Sequence, residues 1–283
     1  MSDSPRVALA TCSWLPDGSD DVVHLMKALA GLGVRAEPVV WDSGADWASY
    51  DLTVVRSTWD YPARRDAFLA WADAVPRIVN APEVLRWNTD KRYLRDLAAA
   101  GVPVVETLWD PADVPSSWPE YVIKPAVSIG SRDTARWGPG EEERARAHLR
   151  ALRSEGRAVM VQPYLSAVDT LGETALVFRD GAFSHAARKA PILTAGAGIE
   201  GPVAFDASRG QVTPSEAAPE QLAVAERALA AAPGGLLYAR VDLVPGPDGA
   251  PVLIELELTE PNLYLQHAPG SAARFAESIA ARL

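Results

Sequence analysis

The stretches Ala239-Arg-Val-Asp242 and Leu253-Ile-Glu-Leu-Glu257 are the most informative part of the chain. Each has the apolar residues of a short buried strand, and a connection rich in Pro and Gly joins the two. Because side chains alternate along a strand, Glu255 and Glu257 point from the same face. Clustered carboxylates repel one another unless a cation neutralises them, and hard oxygen ligands suit Mg²⁺. Asp242, Glu255 and Glu257 are therefore predicted to bind magnesium; the alternative is an acidic strand edge that faces solvent.

Three upstream segments have features of a nucleotide site. Lys124 ends the apolar strand Tyr121–Lys124, and Lys91 lies in the first turn of a predicted helix, where a cation opposes the helix dipole, so each needs an anion nearby. The small residues of the loop Ala126–Arg132 leave backbone N–H groups free to approach phosphates. The apolar strand Val159–Leu165 stops at a proline and can present main-chain groups to an adenine edge. Taken singly, these features are also typical of surface turns and ordinary strand ends.

The first 85 residues alternate apolar strands with helical patterns, which is typical of a parallel sheet with crossover helices. The predicted strands are Val7–Thr11, Val34–Trp41, Leu52–Arg56 and Arg77–Asn80, and the predicted helices are Asp20–Leu29 and Ala63–Ala74. Loops at the carboxyl ends of parallel strands are where open α/β sheets bind ligands. The segment after the third strand is therefore the predicted substrate site: Arg56, Ser57, Thr58, Trp59, Asp60 and Tyr61. The alternative is a packing tryptophan in a plain turn.

Two further lobes are predicted, residues 86–165 and 166–283, with Pro82 and the polar stretch Arg86–Thr89 at the first boundary. The central lobe is predicted to contain the helix Asp90–Ala100, the strand Tyr121–Lys124, the helix Glu141–Ser154 and the strand Ala158–Gln162. The last lobe is predicted to contain the hairpin Glu173–Phe178 and Phe183–Ala187, the polar loop Ala195–Gly210, the helix Ala217–Ala231, the strands Leu236–Val244 and Val252–Glu257, and a closing helix. The Asp-Gly pair in the hairpin favours a tight turn.

Composition narrows the classes of function. Hydrophobic residues make up 48% of the 283 residues, which indicates a globular rather than a disordered chain. The net charge of −10 disfavours binding to nucleic acid or to an anionic membrane surface. The single cysteine, Cys12, excludes an intramolecular disulfide. No basic leader or apolar run of membrane-spanning length is visible, so we expect a cytoplasmic protein.

In their order along the chain, these pieces resemble the ATP-grasp ligases over nearly the full length. The resemblance implies α/β and α+β parts: a three-lobed ATP-grasp architecture with an N-terminal open parallel sheet and two ATP-clamping α+β subdomains. It also implies ATP and Mg²⁺ as cofactors, although the family commonly has Asn at the position of the magnesium ligand Glu257. The positions similar to the family's nucleotide-binding residues are Lys91, Lys124, Ser128, Gly130, Ser131, Gln162, Tyr164, Leu165 and Glu173.

The chemistry that the resemblance implies is carboxylate–amine ligation. The family transfers a phosphoryl group to a carboxylate, and an amine attacks the acyl phosphate with loss of phosphate. Lys91, Lys124 and Arg240 are then expected to offset charge on the transferred group. Arg188 is expected to hold the substrate carboxylate or the acyl phosphate, since a planar guanidinium engages two oxygens at once. Lys189 is similar to a family position of nucleotide or substrate contact. The predicted catalytic residues are therefore Arg188, Arg240 and Lys189.

Four segments are similar to the O-ureido-serine cyclo-ligases of antibiotic biosynthesis: Arg56–Tyr61, Gly172–Thr174, His185–Lys189 and Glu255–Pro261. This similarity implies a small-molecule carboxylate and an amine as substrates, joined within one molecule or between two. A small-molecule kinase on the same fold and a nucleotide-binding regulatory module without turnover are the alternatives. The sequence names neither the substrate nor the oligomeric state.

Overall fold

The computed structural model describes residues 4–199 and 211–283, and in this part of the chain three β-sheets surround one large cleft. Most of the predicted loop Ala195–Gly210 lies outside the described residues. Among the helices that the structure describes, none has the length and apolar character needed to cross a membrane.

The N-terminal lobe is a four-stranded parallel sheet. Its elements are β1 (Arg6–Thr11), α1 (Asp20–Gly31), β2 (Arg35–Val40), β3 (Leu52–Ser57), α2 (Arg65–Ala74) and β4 (Ile78–Val79). The strand order is β2-β1-β3-β4, as expected for crossover units. All four predicted strands and both predicted helices are confirmed within a few residues. The order places the ends of β1 and β3 side by side at the cleft.

The central lobe contains an antiparallel sheet that α5 covers. The elements that follow β4, up to the last strand of this sheet, are α3 (Pro82–Asn88), α4 (Tyr93–Ala99), β5 (Leu108–Trp109), β6 (Tyr121–Pro125), β7 (Ala135–Trp137), α5 (Glu142–Ser154) and β8 (Val159–Pro163). The strand order is β5-β8-β6-β7. The polar stretch Arg86–Thr89 was expected to be a boundary, but most of it belongs to α3. Pro82 fits the first turn of a helix, and Val84 and Leu85 are buried.

The C-terminal lobe is built on a five-stranded sheet with the order β11-β10-β9-β12-β13. The elements of this part are α6 (Ala167–Leu171), β9 (Glu173–Arg179), β10 (Ala182–Lys189), β11 (Val212–Ser215), α7 (Pro219–Ala231), β12 (Tyr238–Pro245), β13 (Pro251–Glu257) and α8 (Ser271–Ala280). Asp180 and Gly181, both with positive φ, form the predicted hairpin turn between β9 and β10. Five short elements, α3, β5, β7, β11 and α6, were not predicted.

Two helices pack across the predicted lobe boundaries. Tyr93, Leu94 and Leu97 of α4 belong to the core of the five-stranded sheet. Phe275 and Ile279 of α8 pack with α1 and the parallel sheet, so the C-terminal helix completes the core of the N-terminal lobe. The amphipathic patterns of the two helices indicate that they are buried on one side, but not against which sheet.

Gly172, between α6 and β9, is the glycine whose replacement we expect to destabilise the fold most clearly. Its φ of 66° and ψ of −164° lie in a region that only glycine adopts readily. A Cβ added at Gly172 would lie 2.2 Å from the carbonyl oxygen of Lys189, whereas a Cβ added at Gly156, with φ 72°, would meet no other side chain or strand within 4 Å. We expect Gly172→Ala to lower the free energy of unfolding by about 2 to 4 kcal/mol, and the control Gly156→Ala by about 1 kcal/mol.

Urea denaturation measures both variants. An equal loss of stability in the two would show that backbone conformation alone is responsible and that the strand end at Lys189 can move away.

Candidate active site

One cavity of about 800 Å³ runs between the three sheets. Side chains from the central lobe, the C-terminal lobe and the ends of the N-terminal strands all line it, so a ligand in this cavity contacts all three lobes. The predicted residues that line it are Trp59, Tyr61, Lys91, Lys124, Ser128, Gly130, Ser131, Gln162, Tyr164, Leu165, Glu173, Lys189, Arg240, Glu255 and Glu257.

The predicted metal ligands come together at the cavity wall: Glu255 and Glu257 line the cavity, and Asp242 is fully buried beside them. Asp242 on β12 pairs with Glu255 on β13, and the neighbouring pair is Arg240 with Glu257. One carboxylate oxygen from each of the three acids lies within 4.8 Å of the other two. A set of oxygen donors with this spacing fits a hard divalent cation such as Mg²⁺.

Asp242 is fully buried and has two cations against it. The guanidinium of Arg240 donates two hydrogen bonds of 2.9 Å to its carboxylate, and Nζ of Lys189 donates a third of 2.8 Å. Burial alone would raise the pKa of Asp242, but the attraction of Arg240 and Lys189 outweighs it and lowers the pKa to about 2. Lys189 also lies 2.7 Å from Glu173, and Arg240 also contacts Glu257.

Glu257 has the opposite pKa shift from Asp242. Burial raises its pKa to about 7; Arg240 offsets part of this effect, and the carboxylates of Glu255 and Asp242 add to it. A bound cation would relieve that repulsion, so the electrostatics of Glu257 also fit a metal site.

Lys91 and Lys124 are close to each other but have different partners. Nζ of Lys91 lies 3.1 Å from Glu255 and donates a 2.6 Å hydrogen bond to the carbonyl oxygen of Ser128. Lys124 has no carboxylate within 4 Å among the described residues, and burial lowers its pKa to about 8. A buried ammonium without an anion is stabilised by a ligand that brings one. Lys124 therefore fits a phosphate oxygen.

The loop after Lys124 presents free backbone donors. In the described part of the chain, nothing accepts a hydrogen bond from the N–H groups of residues 129–131. Gly130 and Ser131 have φ of 57° and 58°, the conformation in which successive N–H groups form an anion-binding concavity. Val127 and Ile129 pack against aromatic residues of the N-terminal lobe, which holds the loop over the cavity.

The far end of the cavity is an apolar slot beside the end of β8. The cavity-lining residues Val105, Leu165, Val168 and Ile254 pack together in one apolar cluster, and Val122 and Leu256 also line the cavity. The N–H of Tyr164 donates to Glu120, but that of Leu165 donates to no residue that the structure describes. The amide of Gln162 donates to Thr107 at 2.9 Å, which fixes this side chain at the slot. A flat aromatic base with an acceptor on its edge fits such a slot.

Of the predicted substrate segment, only Trp59 and Tyr61 line the cavity. Arg56 is 1% exposed and donates to the carbonyl oxygen of Pro261, so its guanidinium lies behind the cavity wall. Ser57 and Thr58 are fully buried. Asp60 turns away from the cavity, where it accepts a 2.7 Å hydrogen bond from the indole of Trp41 and pairs with Arg64. These placements do not fit direct substrate contact by the whole segment.

Arg188 is not brought into the cavity. Side chains alternate along β10, so the cavity-lining position of Lys189 places Arg188 on the other face of the strand. Its Nη1 donates a 2.9 Å hydrogen bond to the carbonyl oxygen of Leu171. We therefore do not assign the substrate carboxylate to Arg188.

Five residues after β13 line the cavity although no pattern in the sequence indicated a role for them: Glu260, Asn262, Tyr264, Gln266 and His267. Glu260 stands in the segment Glu255–Pro261 that carries the subgroup similarity, but nothing in the sequence shows that it faces a cavity. Burial and the carboxylate of Glu257 raise the pKa of Glu260 to about 8.

Comparisons with known proteins show where this site belongs. The family model of the D-cycloserine synthetase DcsG N-terminal domain matches residues 7–80. The cycloserine biosynthesis protein DcsG of Streptomyces lavendulae is 37% identical over an alignment of 285 positions, which covers 93% of this chain and 94% of that protein. The chain belongs to the DcsG family of ATP-grasp ligases.

Solved structures of ATP-grasp ligases are similar in fold to this chain. The crystal structure of D-cycloserine synthetase DcsG matches 98% of this chain and 99% of its own, with a TM-score of 0.85 and 34% identity. The ATP-grasp ligase PsnB, solved with a precursor variant, Mg and ADP, matches 99% of each chain with a TM-score of 0.64 and 19% identity. The predicted three-lobed ATP-grasp fold is confirmed, and this DcsG-family protein is an ATP-dependent ligase.

Proposed function

We propose that this DcsG-family ligase uses ATP and Mg²⁺ to close the ring of cycloserine from O-ureido-D-serine. The observation that carries the proposal is the continuity of one cavity from the apolar slot, past the three carboxylates, to Trp59 and Tyr61 of the N-terminal lobe. A nucleotide and a small amino acid can therefore meet end to end. The name of the relative DcsG, a D-cycloserine synthetase, supports the choice of substrate and its configuration.

The proposed reaction has two bond exchanges at the substrate carboxylate. A carboxylate oxygen attacks the γ-phosphorus, the bond from phosphorus to the bridging oxygen breaks, and ADP leaves with that electron pair. The ureido nitrogen bonded to oxygen then attacks the acyl carbon and gives up its proton, while the bond from carbon to the phosphate oxygen breaks. The five-membered ring formed in this way still carries the carbamoyl group, and water must cleave that carbon–nitrogen bond to give the free product.

Residues of this chain would supply most of the positive charge that the phosphates need. Lys124 and the N–H groups of residues 129–131 are proposed to bind the phosphates, and Arg240 to stabilise the charge on the transferred group. When Asp242, Glu255 and Glu257 hold Mg²⁺, the metal adds charge neutralisation at the phosphate oxygens. The main chain at Leu165 is proposed to bind the adenine edge.

Lys124→Met tests the nucleotide end of this assignment. Methionine keeps the length of the side chain but removes its positive charge. Among the described residues, no carboxylate pairs with that charge. We expect ATP to bind about 10- to 100-fold more weakly, as for a lost charge-assisted hydrogen bond. The matched control is Lys27→Met, because Lys27 is exposed on α1 and distant from the cavity. Calorimetric titration with ATP that gives equal affinities for both variants would remove Lys124 from the phosphate site.

Product analysis tests the function itself. The purified protein is incubated with ATP, Mg²⁺ and O-ureido-D-serine, its L-enantiomer or D-serine, and ADP and the ring product are followed by mass spectrometry. We expect ADP and ring product in equal amounts with O-ureido-D-serine alone. A phosphorylated substrate without ring closure would indicate a kinase, and the absence of ADP with O-ureido-D-serine would overturn the proposed substrate.

A further inference from the structure

The segment Glu260–Gln266, here called the strap, follows β13 and is held from behind by side chains of four other elements. Four consecutive carbonyl oxygens of the strap each accept a hydrogen bond from a side chain. The donors and the carbonyl oxygens that they reach are Trp59 Nε1 and Glu260 (3.0 Å), Arg56 Nη2 and Pro261 (2.5 Å), Arg240 Nη1 and Asn262 (3.0 Å), and His185 Nε2 and Leu263 (2.7 Å).

Asp21, in the first turn of α1, holds the strap through its backbone N–H groups. Its carboxylate accepts hydrogen bonds from the N–H groups of Leu263 at 2.5 Å and Leu265 at 3.0 Å. A main chain whose donors and acceptors are satisfied by buried side chains has one conformation, because moving it would leave several buried polar groups unpaired.

This fixed main chain sorts the side chains of the strap into two sets. Pro261, Leu263 and Leu265 are buried in the protein. The residues between them point the other way and line the cavity: Glu260, Asn262, Tyr264 and Gln266. The strap is therefore a wall of the cavity with preset side-chain directions, next to Trp59 and Tyr61 of the N-terminal lobe.

Glu260 differs from Glu173 and from the three predicted metal ligands in having no cationic partner among the described residues. Glu173, Asp242, Glu255 and Glu257 each have a Lys or Arg nitrogen within 4 Å. Within residues 4–199 and 211–283, no Lys or Arg nitrogen lies that close to Glu260, although its side chain is only 8% exposed. Burial raises the pKa of Glu260, and the neighbouring hydroxyl of Tyr61 lowers it. A buried carboxylate in a cavity without a cation fits a ligand that brings one.

Glu260 lines the same cavity as the predicted metal ligands Glu255 and Glu257 and is close to them along the chain. Glu260 follows Glu257 by three residues, so their Cα atoms are at most about 11 Å apart. An α-amino acid has its ammonium group one carbon away from its carboxylate. A substrate whose carboxylate meets the phosphate at the metal end can therefore direct its ammonium group toward the strap.

We infer that Glu260 binds the α-ammonium group of the substrate, with Tyr61 and the strap as the parts that position it. The inference rests on the proposed function, because it takes the substrate to be an amino acid activated at its carboxylate. Under it, Arg56, Trp59 and Asp21 are positioning residues that act through the strap, and Glu260 makes the contact that selects an amino acid.

Two substrates and one variant test this contact. The wild type and Glu260→Gln are compared with O-ureido-D-serine and with its deamino analogue, ureidooxypropanoate, which keeps the carboxylate and the ureido nitrogen. We expect wild-type kcat/KM to be about 100-fold higher for the amino substrate, and Glu260→Gln to reduce this preference to about threefold or less. The variant should act on the deamino analogue as well as the wild type does. Glu226→Gln, at an exposed position on α7, is the matched control and should keep the wild-type preference.

Each other outcome has one meaning. A Glu260→Gln variant that loses activity equally with both substrates, while binding ATP normally, would overturn the inference, since a general structural role affects both substrates alike. A wild type that does not distinguish the two substrates would also overturn it and leave the proposed function intact. A wild type that forms no ADP with either substrate would overturn the proposed function. If Glu260→Gln does not fold, Glu260→Asp replaces it: the retained charge should preserve the preference for the amino substrate at a higher KM.

Discussion

Glu255→Gln is expected to lower turnover at least about 1000-fold while the protein keeps its stability. Glu255 is one of three acids whose oxygens lie within 4.8 Å of one another, and it is also the partner of Lys91. A neutral amide in this position removes one negative charge from the metal site. It also leaves Lys91 without its carboxylate partner, so that Lys91 repels the bound cation. Its side chain is 28% exposed, and Lys91 keeps its hydrogen bond to Ser128, so we expect the free energy of unfolding to change by less than about 1 kcal/mol.

Initial rates of ADP release over a titration with Mg²⁺, together with urea denaturation, measure both halves of this result. Glu220→Gln, at an exposed position on α7, is the control and should match the wild type in both. Wild-type rates for Glu255→Gln at ordinary Mg²⁺ concentrations would remove Glu255 from the metal site.

Asp242→Asn is expected to destroy both turnover and stability, although it removes the same charge from the same cluster. Asp242 is fully buried and forms ion pairs with two cations, Arg240 and Lys189. Removing one partner of a buried ionic network leaves charge uncompensated where water cannot reach it. The expected loss is about 3 to 5 kcal/mol in the free energy of unfolding.

The matched control is Asp113→Asn. Asp113 pairs with Arg146 at 2.8 Å, but the two side chains are 62% and 39% exposed, and an ion pair in contact with solvent contributes less than about 1 kcal/mol. Urea denaturation of the two variants separates burial from the mere loss of an ion pair. If the two variants lose equal stability, Asp242 does not compensate Arg240 and Lys189 in the way that the buried network requires.

The placement of the carboxylate cluster and of Lys124 could be predicted from sequence because it depends on short-range rules. Alternation along one strand placed Glu255 and Glu257 on the same face, and the structure brings Asp242 of the adjacent strand to them. A lysine at the end of an apolar strand, followed by small residues, gave Lys124 and its loop in the same way.

The strap could not be predicted in this way, because it depends on contacts between distant parts of the chain. Arg56 and Trp59 reach the strap across more than 200 positions, and no pattern near either residue indicates that its partner is a carbonyl oxygen. Arg188 shows a second limit. The alternation of β10 was predictable, but whether Arg188 or Lys189 faces the cavity depends on how the whole sheet is placed.

The position of α8 against α1 also determines when the protein can finish folding. The four parallel strands and α1 are synthesised before the other two lobes, but Phe275 and Ile279, which complete their core, come after the sheets of those lobes along the chain. Until then Val22, Leu25 and Leu29 of α1 lack part of their apolar cover, and a nascent chain in this state is a target for chaperones. The parallel sheet is therefore synthesised before the helix that completes its core, and the strap that Arg56 and Trp59 contact also follows that sheet along the chain.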